Sequence, residues 1–305
     1  MKKSLIALAI AGAMAVPAIA MADATLYGHV NIEAAKADGA KLNIGTGANS
    51  GSRIGVRGTA DTGIDGLVGF YQIEMGLSTD NGSTALSTRH AHAGLKGDFG
   101  TFALGTQSSL HNPWTADQAD LMLSGAARVL YASGVIGRVS RSAFYTSPNM
   151  GGFQFGGGIL ASDQNADKNV DAYNVAGKYS ANGLTLGLSY VSFETANNAR
   201  DNATSAAASY SFGPATLAAS VTRNDFRAGG NTTPFDLAAT YSVTDSTTLK
   251  VGYSDHDNSA KGYGVEVQHN LGSMTNLYLG YGEANSALEA AGGADVISTG
   301  IRVRF

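Results

Sequence analysis

The sequence predicts an all-β chain, a transmembrane antiparallel β-barrel, most simply of 16 strands, with a long third loop folded into the lumen. Three observations carry that expectation. Apolar and polar residues alternate with a period of two along most of the chain. Connections between the alternating stretches are short and long in turn. The 305 residues include 40 glycines, 13 tyrosines and only 14% charged side chains, a composition suited to curved strands. Beyond the first 22 residues, no segment holds a helical period over three turns. None there runs apolar for the ~18 residues that a spanning helix takes.

The first segment, MKKSLIALAIAGAMAVPAIAMA, reads as an export signal covering residues 1–22. Lys2 and Lys3 precede an apolar run from Leu5 to Val16, and small residues follow at A-x-A spacing. Cleavage after Ala22 is expected, leaving residues 23–305 as a single barrel domain. Export without any cysteine excludes a disulfide framework and thiol chemistry. Without Lys2 and Lys3, 18 basic residues face 24 acidic ones, a balance that argues against nucleic acid as a partner.

The strands follow. In SRIGVRG, residues 52–58, Ile54 and Val56 take one face, and Arg53, Gly55 and Arg57 take the other. In a soluble sheet the second face would meet solvent; in a closed barrel the first meets lipid and the arginines point into water. The same split recurs in YNVAGKY (173–179), LTLGLSY (184–190), LKVGYS (249–254), YGVEVQ (263–268) and the terminal IRVRF. The second faces hold Gly, Ser, Thr, Asn, Gln and charge, a wet surface and not a core. Short connections lie near 61–65, 97–99, 148–151, 180–183, 213–214, 244–246 and 271–274. Longer ones lie near 36–50, 78–86, 108–138, 163–170, 195–202, 225–232, 255–260 and 286–294. These fifteen connections imply 16 strands, with 14 left open by the uncertainty of such boundaries.

Residues 108–138 break the rhythm. They contain the only tryptophan, Trp114, and the apolar residues Leu121, Leu123, Val129 and Leu130. A long loop with apolar content needs a surface to pack on. The lumen offers one, and the alternative is an extracellular lobe packed on itself or on a neighbouring subunit. Alternation assigns Arg53, Arg57, Arg89, Lys178, Lys250, Arg302 and Arg304 to the inside, against Glu33, Glu74 and Glu266. Tyr27 and Tyr278 also point inward by parity. The excess of cations predicts a weak preference for anions.

Sharper chemistry finds little support. His90 and His92 share a strand face opposite in parity to Arg89, and no carboxylate accompanies them as a metal site would require; they read as polar residues near a membrane interface. GTGANSGSR, 45–53, lacks the spacing and lysine of a phosphate loop. No G-x-S-x-G appears, so no enzyme is expected, and no metal or cofactor. RNDFRAGGN (223–231) and HDN (256–258) read as solvated loops.

Against this background DATLYGHVN, SRIGVRG, GLVGFYQIEMGL, RHAHAGLKGDFGTFALGTQ (89–107), SRSAFYTSPNMGGFQFGGG (140–158) and GIRVRF resemble, in order, strands of the trimeric general porins of Gram-negative outer membranes, above all the β-proteobacterial and neisserial type. The resemblance implies a homotrimer in the outer membrane, each barrel a water-filled channel for passive diffusion of ions and small hydrophilic solutes. It implies a basic wall at the pore constriction, matched here by Arg53, Arg57 and Arg89 and by either Arg138 or Arg141. The loop acids that would face it are Asp117 and Asp120. It also implies contact with lipopolysaccharide, and recognition of the terminal Phe305 by the barrel-assembly machinery. The competing expectation is a plugged barrel acting as a surface adhesin or structural anchor.

Overall fold

The computed structural model describes residues 23–47, 51–78, 86–128, 134–161, 168–195, 198–257, 259–290 and 293–305. The expected export signal (1–22), and Val129 and Leu130 of the long loop, lie outside the described residues.

One antiparallel sheet makes the molecule. Its strands are β1 (Thr25–Ala37), β2 (Asn43–Thr46), β3 (Arg53–Asp61), β4 (Val68–Leu77), β5 (Leu86–Gly97) and β6 (Gly100–Ser108). After the long loop come β7 (Arg138–Thr146), β8 (Phe153–Ala161), β9 (Val170–Ala181), β10 (Leu184–Phe193), β11 (Arg200–Phe212) and β12 (Ala215–Phe226). The last are β13 (Asn231–Thr232), β14 (Phe235–Ser242), β15 (Thr247–Asp255), β16 (Lys261–Leu271), β17 (Thr275–Ala284) and β18 (Val296–Arg304). β1 pairs with β18 from His29↔Arg304 to Ala37↔Val296, which closes the barrel and leaves no edge.

Eighteen ladder segments amount to 16 barrel strands because two of those strands are interrupted. β2 and β3 both pair with β1, β2 beside Ile32–Ala35 and β3 beside Thr25–His29. Beside Asn31, between the two segments, Ser52 takes the place of ladder bonds: its Oγ accepts from Asn31 N at 2.9 Å and donates to Asn31 O at 3.2 Å. β13 and β14 likewise share β12. There Pro234 sits at the break, where a residue without an N–H costs no ladder bond. The expected loop 36–50 therefore holds a strand segment, and the turn before it is confined to residues 38–42. Four-residue NIGT beside a glycine-rich stretch carries too little alternation to be seen as a strand.

The usual distribution of polarity is inverted. Leu188, Val175 and Ile73 are more than half exposed on the outside, while Asn174, Ser205, Thr222 and Glu266 are buried on the inside. Phe305 completes the seam, its N and O bonding Gly28 at 3.1 and 3.0 Å. Leu188 stands mid-strand on the outer face of β10. Leu188→Arg is expected to lower barrel stability by about 2–4 kcal/mol, measured by reversible urea unfolding in lipid vesicles.

Candidate functional site: the lumen wall and its loop

The chain from Ser109 to Arg128 runs along the inner face of the barrel. It enters through α1 (His111–Trp114), whose first N–H groups are met by the wall: Leu110 N and His111 N donate to Asn174 Oδ1 at 3.0 and 3.1 Å. Trp114 is buried with Leu110, Val139, Phe144 and Ala176, and the Lys178 ammonium lies 5.3 Å from its ring. A 3-10 turn, Ala116–Gln118, follows and packs on β11 and β12.

The tip is held by two carboxylates. Glu266 Oε2 accepts from Leu123 N at 2.7 Å and Ser124 N at 2.6 Å, and its Oε1 is 2.7 Å from Lys250 Nζ. Lys250 also donates to Leu121 O at 2.9 Å. Glu33 accepts from Gly125 N at 3.1 and 3.2 Å and from the Tyr278 hydroxyl at 3.2 Å. Ser124 Oγ and Ser298 Oγ are 2.7 Å apart. The inward anions Glu33 and Glu266 thus neutralise loop N–H groups and a lysine instead of lining open water. Charge-assisted bonds of this kind, shielded from solvent, are among the stronger ones in proteins.

Glycines make the close approach possible. A Cβ on Gly187 would overlap the Trp114 carbonyl, one on Gly264 the Ala127 carbonyl, and one on Gly280 the Ser124 hydroxyl. These glycines on the inner faces of β10, β16 and β17 are explained by clearance for the loop.

The loop roots in β6 and its last anchor is Glu33 on β1. The sector of wall between them, β3 to β5, carries the basic cluster. Glu74 is its hub: Arg89 Nε lies at 2.6 Å, Arg53 Nη1 at 3.6 Å, and the Tyr27 hydroxyl donates to it at 3.0 Å. The Arg57 guanidinium stands over the Tyr27 ring, 4.9 Å from its centre. Arg138 interacts electrostatically with Arg89, Glu74 and Asp117, and Arg53 with Arg89 and Arg138. Arg302, on β18, extends the positive field towards Arg53 and donates to Asn276 Oδ1 at 3.1 Å.

Arg53, Arg57, Arg89 and Arg138 therefore share one stretch of wall, with Asp117 on the loop beside Arg138. Arg141, the other choice for the fourth position, sits on a bulge in β7 with φ +51°. Asp120 is elsewhere: Arg128, eight residues on, binds it with Nε and Nη2 at 2.9 and 2.8 Å. The pair lies beside Asp236, so Asp120 is neutralised within the loop and does not stand against the arginines. Nothing in the spacing of an irregular segment pointed to Arg128.

The histidines also need correction. The ladder slips between Glu74 and Met75, where Glu74 pairs with His90 and Met75 with Thr88, leaving Arg89 as the extra residue. The bulge puts His90 and His92 on the inner face beside Glu74 and Gln72, their rings 5.7 Å apart. They belong to the lumen and not to a membrane interface. The extra residue lies in β5 itself: His90, His92 and Lys96 alternate with the outward Ala91, Ala93 and Leu95, and only a count carried from Arg89 across the bulge gives the histidines the wrong face.

This closed barrel with a polar lumen, an apolar outer face, an inward loop and a clustered basic wall defines a transmembrane β-barrel of porin-like build. The family profile described as Gram-negative porin matches residues 7–287, and the chain belongs to that family. Among curated relatives, the major outer membrane protein P.IB of Neisseria gonorrhoeae is 36% identical over 60% of this chain and 55% of its own length. An outer membrane porin protein of Bordetella pertussis is 31% identical over 63% of this chain and 56% of its own. The chain thus matches a little over half the length of these relatives, which are outer-membrane proteins, as this one is. Among solved structures, Salmonella typhi OmpF in complex with daunomycin superposes with a TM-score of 0.75 at 16% identity, covering 93% of this chain and 98% of that one. The anion-selective porin from Comamonas acidovorans superposes with a TM-score of 0.71 at 24% identity, covering 93% and 100%. These two show the shared fold.

Glu266→Ala leaves Lys250 buried without its carboxylate and frees two loop N–H groups. A loss of about 3–5 kcal/mol is expected, measured as a lowered unfolding transition of the refolded protein in detergent.

Proposed function

We propose that the chain is an open channel for passive diffusion of ions and small hydrophilic solutes, working as a homotrimer and weakly preferring anions. One observation carries this reading: the loop is tied to the lumen wall by Glu266 and Glu33, and the sector away from these described contacts bears Arg53, Arg57 and Arg89 with Arg138 close by. Arg53, Arg57, Arg89 and Arg138 form the basic wall of the constriction, Asp117 is the acid that faces it, and Arg141 is an outlying member. A field between fixed opposite charges, focused by low-dielectric walls, orients dipolar solutes, and the excess of basic over acidic side chains on this wall favours anions over cations. No proton transfer and no bond making are required.

The anion selectivity of the Comamonas acidovorans porin, and the trimer form of the OmpT outer membrane protein of Vibrio cholerae, support extending those properties to this chain. Residues 1–22 serve as the export signal, and 108–138 act as the constriction loop. The Phe305 side chain, half exposed at the barrel seam, suits recognition by the assembly machinery. The apolar outer face suits membrane lipid and lipopolysaccharide.

Single-channel current in planar bilayers under a salt gradient tests the reading. Conductance steps grouped in threes are expected, with a reversal potential favouring chloride and shifted towards cations by Arg53→Glu and Arg89→Glu. A wild-type reversal favouring cations would overturn the basic-wall assignment. Silence from correctly inserted protein would overturn the open channel in favour of a plugged surface barrel.

A further inference from the structure

Nearer the short turns, three successive rows of inner-face residues cross β3, β4 and β5. The first row is Arg57, Gln72 and His92; the second is Thr59, Phe70 and Gly94; the third is Asp61, Val68 and Lys96. Phe70 stands at the centre, with cations at opposite corners. Its position is unusual. Phe144 and Phe193, also turned inward, are buried in apolar clusters that include loop residues or their immediate neighbours, and Phe226 lies at the loop end of β12, whereas Phe70 is part-exposed among polar groups on the wall. An apolar ring on a wet wall forgoes the burial that usually stabilises it.

The surroundings hold that ring in place. A Cβ on Gly94 would stand 2.8 Å from the Phe70 ring, so the ring lies over a backbone that only glycine leaves bare. The His92 ring meets it edge-on at 6.1 Å. His92 Nδ1 is 3.2 Å from the Thr106 carbonyl, which can only accept, so Nδ1 carries the hydrogen and Nε2 is left over. Arg57, Phe70, Gln72, His92, Lys96 and Thr101 line a recess of about 460 Å³, within the size range of small-molecule sites. Among the described residues, Lys96 makes no ion pair or hydrogen bond. Asp61 does not line the recess and accepts from Gly63 N in the turn. The one carboxylate in the lining is Asp23; cleavage after Ala22 would add an α-ammonium group to the same residue.

We propose that this recess is a subsite for small aromatic carboxylates, which stack on Phe70 and place the carboxylate against Lys96, while Arg57 adds to the attraction. The subsite adjoins the Glu74 hub on its short-turn side, sharing Arg57 and Gln72 with it through Tyr27, and it rests on the channel reading for its access from water. Chloride and aliphatic acids meet the same cations but gain nothing from the ring, so the two classes of anion are told apart here. Selectivity for an aryl group is the signature of this site, and a basic wall alone would not produce it.

The test uses benzoate and acetate, each added to the short-turn side of reconstituted wild-type channels in potassium chloride. Benzoate is expected to reduce the current saturably and acetate to leave it unchanged. Phe70→Leu and Lys96→Gln should each weaken the benzoate effect by about fivefold or more, the equivalent of roughly 1 kcal/mol. Equal responses to benzoate and acetate, or wild-type saturation in both variants, would overturn the proposal. If chloride current itself is missing, the channel reading fails separately. Ligand-observed NMR of benzoate with refolded wild-type, Phe70→Leu and Lys96→Gln protein then decides the subsite: binding that neither variant weakens, or none to wild type, sinks it.

Discussion

Two buried carboxylates gripping the backbone of one loop are the constraint on which this lumen depends. Glu266 and Glu33 come from strands at opposite ends of the chain, and both accept from the same three-residue tip, Leu123 to Gly125. A carboxylate without partners in such a place would be costly to ionise. Here each loses water and gains N–H donors, with Lys250 and Tyr278 supplying the remaining partners. The tip is fixed by bonds to its main chain, so its side chains are spared for other tasks. The contacts of the described loop residues run from Asn174 on β9 round to Glu33 on β1, away from the β3 to β5 sector of the wall, so the loop divides the interior asymmetrically.

That sector has its own internal order. The arginines do not simply repel one another across water; Glu74 sits among them and holds Arg89 and Arg53, while Tyr27 links Glu74 to Arg57 through its hydroxyl and its ring. One carboxylate among several guanidinium groups lowers their mutual repulsion and keeps a net positive field facing the lumen. The bulge at Arg89 lets two successive residues, Arg89 and His90, face the same side. A regular strand would have sent one of them to lipid. Irregularity in the ladder thus concentrates charge where a uniform sheet would have spread it.

Much of this was legible from the chain alone, for a physical reason. A strand period of two maps directly onto inside and outside, so Arg53, Arg57, Lys178, Lys250, Glu33, Glu74 and Glu266 were placed by counting. The closed barrel, its sixteen strands and the rhythm of turns and loops followed from the same pattern. What counting missed was whatever shifts the register or joins distant segments. The bulge at Arg89 breaks the alternation of β5 at one residue, so a count carried from Arg89 sends His90 and His92 to the wrong face. The pairing of Asp120 with Arg128 arises in an irregular loop where no period applies. The contact of Leu123 with Glu266 spans 143 positions, and no local pattern encodes it. The short β2 was lost among glycines, whose use in turns and in strands looks the same in a sequence.

The glycines opposite the loop have a consequence for how such proteins change over time. Gly187, Gly264 and Gly280 form the negative of a mould, shaped to the carbonyls of Trp114 and Ala127 and to the hydroxyl of Ser124. A loop of different length or path would meet bare wall where it needs support and side chains where it needs clearance. Loop and wall therefore fit only as a matched pair. A lineage can vary its outer loops freely, but it can remodel this inner one only through coordinated replacements on strands far away in the chain.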